Sequence, residues 1–198
     1  MRDHPYGDVP RLPDGPIAIA DLAGGPGPFE LELGFGRADF LLERARQRPD
    51  VRLVGLETRL KWVGLAAQKA KARSLENVHV YAGDARRLAS VLGPDASVRT
   101  AWLHFPDPWW KKRHEKRRMV TPDLVRGLVR LLEDGGLLFV QTDVPERADA
   151  YRAMLRAQPA LEDLRSDENP AGVRSHRERR CEEEGLPVYR LSFRRLAR

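Results

Sequence analysis

The stretch FELELGFGRADFLL, Phe29 to Leu42, decides the fold. Its first five residues alternate apolar and charged side chains as a β-strand does, Gly34 and Gly36 follow, and Phe40, Leu41, Leu42 and Ala45 then give an apolar face at helical spacing. Strand, glycine turn and helix in that order make a nucleotide-type loop at the carboxyl end of a parallel strand. The third glycine of the dinucleotide fingerprint is absent, and Asp39 stands in its place. Glu32, two residues before Gly34, adds a further negative charge. A pyrophosphate would therefore meet acids where it needs bare backbone N–H groups.

Working outward, four more β-type runs alternate with helical stretches: VRLVGLE (51–57), VHVYAGD (78–84), AWLHFPD (101–107) and GLLFVQTD (136–143). Trp62, Val63, Leu65, Ala66 and Ala70 make the apolar face of the helix after the second run. Thr121, Pro122 and Asp123 read as an N-cap, a proline at the first helical position and an acid complementing the helix dipole. That helix is expected to stop at Gly135 and Gly136. A helix to about Gln158, a strand at LEDLRSD (161–167), a polar loop and a last strand VYRLSF (188–193) complete the chain. Seven strands in this arrangement predict the α/β class: a doubly wound, mostly parallel, Rossmann-like sheet with an antiparallel edge strand. Residues 1–28 carry six prolines and are expected to form an arm, disordered in part, ahead of one domain spanning residues 29–198.

The bulk properties narrow the function classes. At 198 residues, one domain can bury a sizeable core unaided. Cys181 is the only cysteine, which excludes intrachain disulfides and thiolate zinc clusters, and no metal is expected. Neither a membrane-length apolar run nor a signal-peptide core is present, so a cytoplasmic location is expected. With 35 Lys and Arg against 29 Asp and Glu, the net charge of +6 favours a polyanionic partner. His114 and Cys181 have no partner visible in the sequence and are assigned no chemistry.

Three acids end three successive strands: Glu32, Glu57 and Asp84. Such a site suits a ligand with cationic groups and no phosphate. S-adenosylmethionine, with its sulfonium and ammonium, is one. Glu57 is placed to accept from ribose hydroxyls and Asp84 from the adenine amino group. The fourth strand runs into FPDPWWKKRHEKRR, residues 105–118. Pro106 and Pro108 stiffen the chain around Asp107 and present it beside the first strand end. Lys111, Lys112, Arg113, Lys116, Arg117 and Arg118 supply phosphate contacts, and Trp109 and Trp110 offer faces for base stacking.

ELGFGRA matches the first motif of the class I methyltransferases, E or D, x, G, x, G, x, G or A, and LLEDGGLLFVQTD (131–143) resembles their fifth-strand region. Residues 30–193 resemble the bacterial tRNA (guanine-N7)-methyltransferase family, most specifically in FPDPW followed by K, x, R, H, x, K, R, R. The resemblance implies S-adenosylmethionine as methyl donor, tRNA as partner and N7 of guanosine 46 in the variable loop as acceptor. It implies Glu32, Glu57, Asp84 and Asp107 as cofactor ligands around Gly34 and Gly36, with Asp107 also the active-site residue. Lys111 and Asp143 match tRNA-contacting positions. The family's late T, x, x, E substrate element reads SHRE, Ser175 to Glu178, in which serine keeps the hydroxyl and loses the methyl.

From the residues alone, two other readings stand. A methyltransferase for another RNA, a small molecule or a protein explains the loop and the acids, but outside RNA it leaves the basic tract idle. A non-catalytic RNA-binding module explains the tract but has no use for three strand-end acids.

Overall fold

The computed structural model describes residue 6, residues 8–106 and residues 118–198. In chain order the elements are β1 (Ile17–Ala18), α1 (Ile19–Leu22), β2 (Phe29–Leu33), α2 (Asp39–Gln47), β3 (Arg52–Glu57), α3 (Leu60–Ala72), β4 (Val78–Ala82) and α4 (Ala85–Val91). Then come β5 (Leu92–Gly93), β6 (Val98–His104), α5 (Pro122–Leu131), β7 (Leu132–Thr142), α6 (Pro145–Arg156), β8 (Leu161–Asp163), α7 (His176–Glu183) and β9 (Tyr189–Arg195).

Seven strands form one sheet in the order β4-β3-β2-β6-β7-β9-β8. β9 runs antiparallel to both β7 and β8, and the other neighbouring pairs are parallel. β9 alone therefore runs against the sheet, and the short β8 lies outside it at the edge, running in the direction of β7. The winding reverses between β2 and β6, and a doubly wound sheet opens its ligand crevice at that reversal.

The sheet is covered on both faces, as parallel strands require. Leu31, Leu33, Val54 and Leu56 join Leu88, Leu124, Leu128 and Tyr151 in the larger core. On the other face Leu41, Leu42, Val63 and Ala66 of α2 and α3 pack on Leu53 and Val80. Gly55 permits the close approach there, since a Cβ would lie 2.6 Å from Leu41 Cδ2 and 2.8 Å from Phe35 Cδ1. Gly55→Ala is expected to cost about 1–3 kcal/mol in urea unfolding through overpacking, and to displace Phe35 with the glycine loop.

Four local expectations are corrected. The helix from Pro122 ends at Leu131, not at the glycines, because Leu132 pairs with Val98 and has already entered the sheet. The next pairing is Thr100 with Leu137, so residues 133–136 bulge out of β7 and hold both glycines. β8 stops at Asp163, whose carboxylate turns back to accept from Arg165 N at 2.9 Å. The polar stretch expected as a loop contains α7, whose N-terminus is closed by a reciprocal capping box between Ser175 and Glu178. Residues 8–28 do not stand away from the domain: Leu12, Ile19, Leu22 and Ala23 are buried in the main core, and Leu12 N and Pro10 O bond to Ala82 along the free edge of β4. Proline there blocks long regular elements, but it does not stop the apolar residues between prolines from burying.

Candidate active site

The loop after β2 is built by its glycines. Gly34 and Gly36 have φ of +77° and +55°, conformations that disfavour any side chain. They turn the chain so that Gly36 N donates to Glu57 Oε2 at 3.0 Å, and Gly34 N to the Leu56 carbonyl at 2.7 Å. Glu57 Oε1 accepts from Arg59 N at 3.0 Å and Thr58 Oγ1 at 3.2 Å. The carboxylate of Glu57 thereby ties the loop to the end of β3.

β2 carries two buried acids on one face. Glu30 accepts from Arg44 at 2.7 and 3.0 Å and from Trp102 Nε1 at 2.8 Å, so its charge is matched. Glu32 has less support. Its Oε1 shares a 2.9 Å hydrogen bond with His104 Nδ1, while Oε2, like His104 Nε2, is buried without a hydrogen-bond partner among the described residues. Burial pushes the Glu32 carboxyl above its usual range, and this outweighs the His104 hydrogen bond, which pulls it down. The His104 ring is held among Phe40, Trp102 and Phe139, with centroids at 4.1, 6.0 and 5.9 Å.

Glu32, His104 and Phe40 line a cleft of about 610 Å³ at the β2–β6 reversal. Glu32, Gly34, Gly36, Asp143 and Ser175 all border it, joined by Trp62 and by His176, Arg177 and Arg180 of α7. Asp39, in the missing glycine's position, is bonded by Arg179 and has His176 Nδ1 at 3.4 Å, which fastens α2 to α7 across the cleft. Asp143 accepts from Arg177 Nε at 3.0 Å and from Arg177 Nη2, both at Oδ2; no hydrogen bond from the described residues reaches its Oδ1. Bonding to Asp143 raises the Arg177 guanidinium above its usual value.

Three expected ligands stand apart from this cleft: Glu57, whose carboxylate is turned into the loop behind Gly36, Asp84 and Glu178. Asp84 lines a neighbouring hollow of about 560 Å³, beyond the 57–60 turn, together with Thr58, Leu60 and residues 11–14. It caps α4 by accepting from Arg86 N at 2.9 Å, and bonding from the Arg86 side chain holds its carboxyl below the usual range. Glu178 is fully buried: its carboxylate takes hydrogen bonds from Gln141, Asn169, Arg190 and Ser175 N. It faces the interior behind Ser175. Asp107, Lys111, Lys112, Arg113, Lys116 and Arg117 lie outside the described residues, and Arg118 is half-buried at the far end of that segment. Both flanks meet the loop, since Phe105 lines the cleft and Met119 Cε lies 3.6 Å from where a Cβ on Gly34 would stand.

Sequence reading missed His104, Arg177 and Arg179. His104 had a signal: it lies two residues beyond Trp102, which pairs with Glu32 in the sheet, so it shares a face with that acid. Arg177 and Arg179 had none, because their acids lie 34 and 140 residues away.

The sheet order, with a glycine loop and acids at the β2–β6 reversal, is that of a class I methyltransferase. The fold is shared with the 16S rRNA methyltransferase KamB, with a TM-score of 0.63 at 18% identity over 90% of this chain and 93% of that one. An rRNA methylase from Streptococcus thermophilus gives a TM-score of 0.60 at 12% identity over 90% and 92%. The family model described as "Putative methyltransferase" matches residues 26–191. The tRNA (guanine-N(7)-)-methyltransferase of Thermosynechococcus vestitus is 38% identical over 174 residues, 86% of this chain and 81% of that protein. The corresponding enzyme of Saccharophagus degradans is 35% identical over 187 residues, 92% and 82% of the two chains. The chain belongs to the bacterial tRNA (guanine-N7)-methyltransferase family.

Proposed function

We propose that the protein uses S-adenosylmethionine to methylate N7 of a guanosine in cytoplasmic tRNA, guanosine 46 of the variable loop, giving 7-methylguanosine. The observation that carries this reading is a cleft at the sheet reversal in which two carboxylates each keep one oxygen without a hydrogen bond from the described residues, Glu32 Oε2 and Asp143 Oδ1. A buried carboxylate oxygen without a donor fits a cationic, hydrogen-bonding ligand and repels a phosphate. When bound, S-adenosylmethionine supplies the sulfonium-linked methyl group.

In this reading Glu32 Oε2 receives the ligand's ammonium, and the positive-φ glycines let its body come close to the backbone. The four donors on Glu57 fill its carboxylate, so ribose hydroxyls reach it by displacing the exposed Arg59 guanidinium, 3.3 Å from Oε1. Asp84 serves the base end through the adjoining hollow.

Guanine N7 carries an in-plane lone pair and no proton at neutral pH, so the protein needs only to position the base and stabilise the charge it gains. Asp143 Oδ1 accepts from guanine N1–H and the 2-amino group, donors that adenine does not offer in that pattern, while Arg177 holds Oδ2 still. Glu178 supports the substrate element from behind by fixing Ser175 and the start of α7. Asp107 is assigned to the acceptor face by the family motif and by its place two residues after Phe105. Asp107→Ala is expected to abolish transfer and leave the circular dichroism spectrum and melting temperature unchanged.

The reading is tested by incubating the enzyme with unmodified tRNA and methyl-labelled S-adenosylmethionine and mapping the labelled nucleoside. Label in 7-methylguanosine at position 46 is expected. Label in any other nucleoside, or retained after G46 is replaced by A, overturns it.

A further inference from the structure

The stretch from Thr58 to Leu75, which holds α3, contains Arg59, Lys61, Lys69, Lys71 and Arg73 and no acid at all. At its amino end Trp62 stands half-buried on the cleft margin, with part of its ring exposed. Three cations crowd that ring: the Arg37 and Arg59 guanidinium carbons lie 5.4 and 5.7 Å from its centroid, and Lys61 Nζ lies 5.7 Å away. Arg59 has Glu57 as a partner. Arg37 and Lys61 have no acid within ion-pair distance among the described residues, although Arg44, Arg86, Arg156 and Arg190 each have one.

Cations this close to one ring are at most about 12 Å from one another, against a screening length of about 8 Å at physiological salt, so their mutual repulsion is partly screened and grows as salt falls. The indole face offsets part of that cost. An anion with its own flat ring would offset the rest. We propose that Arg37, Lys61 and Trp62 form a second RNA-contact surface, in which the two cations take backbone phosphates and the indole stacks on an unpaired base or its ribose. The proposal rests on the reading of the chain as a tRNA methyltransferase. In sequence the surface is distinct from the basic tract at residues 111–118. Lys61 and Trp62 follow β3, three strand spacings or about 14 Å of backbone from β7 and Asp143, and Arg37 follows β2, two spacings away on the far side of the same cleft, so in this proposal the surface takes a nucleotide next to the one being methylated. An acidic protein segment would satisfy the charges but has no use for the exposed indole, and the cluster is continuous with the acceptor cleft. RNA is therefore the better occupant.

The test measures binding of unmodified tRNA over a salt series, alongside calorimetric binding of S-adenosylhomocysteine. The proteins compared are wild type, the double variant Arg37→Gln/Lys61→Gln, and the single variants Trp62→Leu and Trp62→Phe. The double variant is expected to bind tRNA about tenfold more weakly and to lose 1 to 2 from the slope of log K against log salt, the signature of one or two lost phosphate contacts. Trp62→Leu is expected to lose about fivefold or more in tRNA affinity and Trp62→Phe to stay within about twofold. Because Arg37 and Trp62 also border the cofactor cleft, S-adenosylhomocysteine affinity is measured in every variant and is expected to fall less than tRNA affinity. An unchanged slope and affinity in the double variant overturns the proposal. So does a parallel loss of S-adenosylhomocysteine binding, or wild-type affinity for polyglutamate equal to that for tRNA. If wild type neither binds nor methylates tRNA, the methyltransferase reading itself fails; if it methylates tRNA and the slope does not move, only this surface is lost.

Discussion

Glu32→Gln is expected to weaken S-adenosylhomocysteine binding by about 10- to 150-fold, because a hydrogen bond between a charged pair is worth ~1.5–3 kcal/mol and the amide keeps the shape without the charge. The oxygen at issue is Oε2, buried beside the cleft with no donor among the described residues, while Oε1 stays with His104. Its pH dependence is the sharper test. Burial raises the Glu32 carboxyl, so the unliganded protein holds that proton to higher pH than an exposed glutamate would. A cationic ligand needs the ionised form. Affinity should therefore be complete above the raised value and fall as pH drops through it, and the fall should vanish in Glu32→Gln. For the unliganded fold the same group acts in the opposite sense: the stability it contributes is present in acid and lost as pH rises through that value. Calorimetric titration of both proteins across the weakly acidic range checks this. An identical pH profile for the two would remove Glu32 from the ligand site.

Glu178→Ala is expected to destabilise the protein by ~3–5 kcal/mol, seen as a large drop in the urea midpoint. The substitution strips Arg190, Gln141 and Asn169 of a shared acceptor and opens the capping box that starts α7. Ser175→Ala removes only the cap and should cost about 1 kcal/mol. A Glu178→Ala protein of wild-type stability that fails only in methyl transfer would show that this carboxylate works on the substrate and not on the fold.

Much of this architecture could be read from residue order because it depends on local periodicity. Alternation along residues 29–33, glycines at 34 and 36 and the apolar face from Phe40 placed β2, its loop and α2 where the structure has them. The acids at strand ends were also legible, since a strand's last residues must lie at its carboxyl edge. What those acids touch was not legible. Glu32 meets His104, and Glu30 meets Trp102, each across 72 residues, and both contacts exist only because β6 inserts beside β2. Burial was hidden for a similar reason. The S, x, x, E spelling at residues 175–178 is also a helix start, and only the packing of Arg190 against Glu178 turns that acid inward. Trp62 does both: it packs in part against the core under α3, as its helical spacing implies, and its place at the amino end of the helix also brings it to the cleft margin, which the spacing could not show.

The proline-bearing segment along β4 also bears on how the protein behaves in solution. β4 is the outermost strand on its side, and an open row of backbone N–H and C=O groups is a template for self-association into larger β-assemblies. Pro10 and Leu12 satisfy Ala82 on that row, and Pro10 and Pro13 lack the N–H groups that a growing ladder would need. The segment stops the Ala82 end of that row, and its prolines make it a poor template for a further strand.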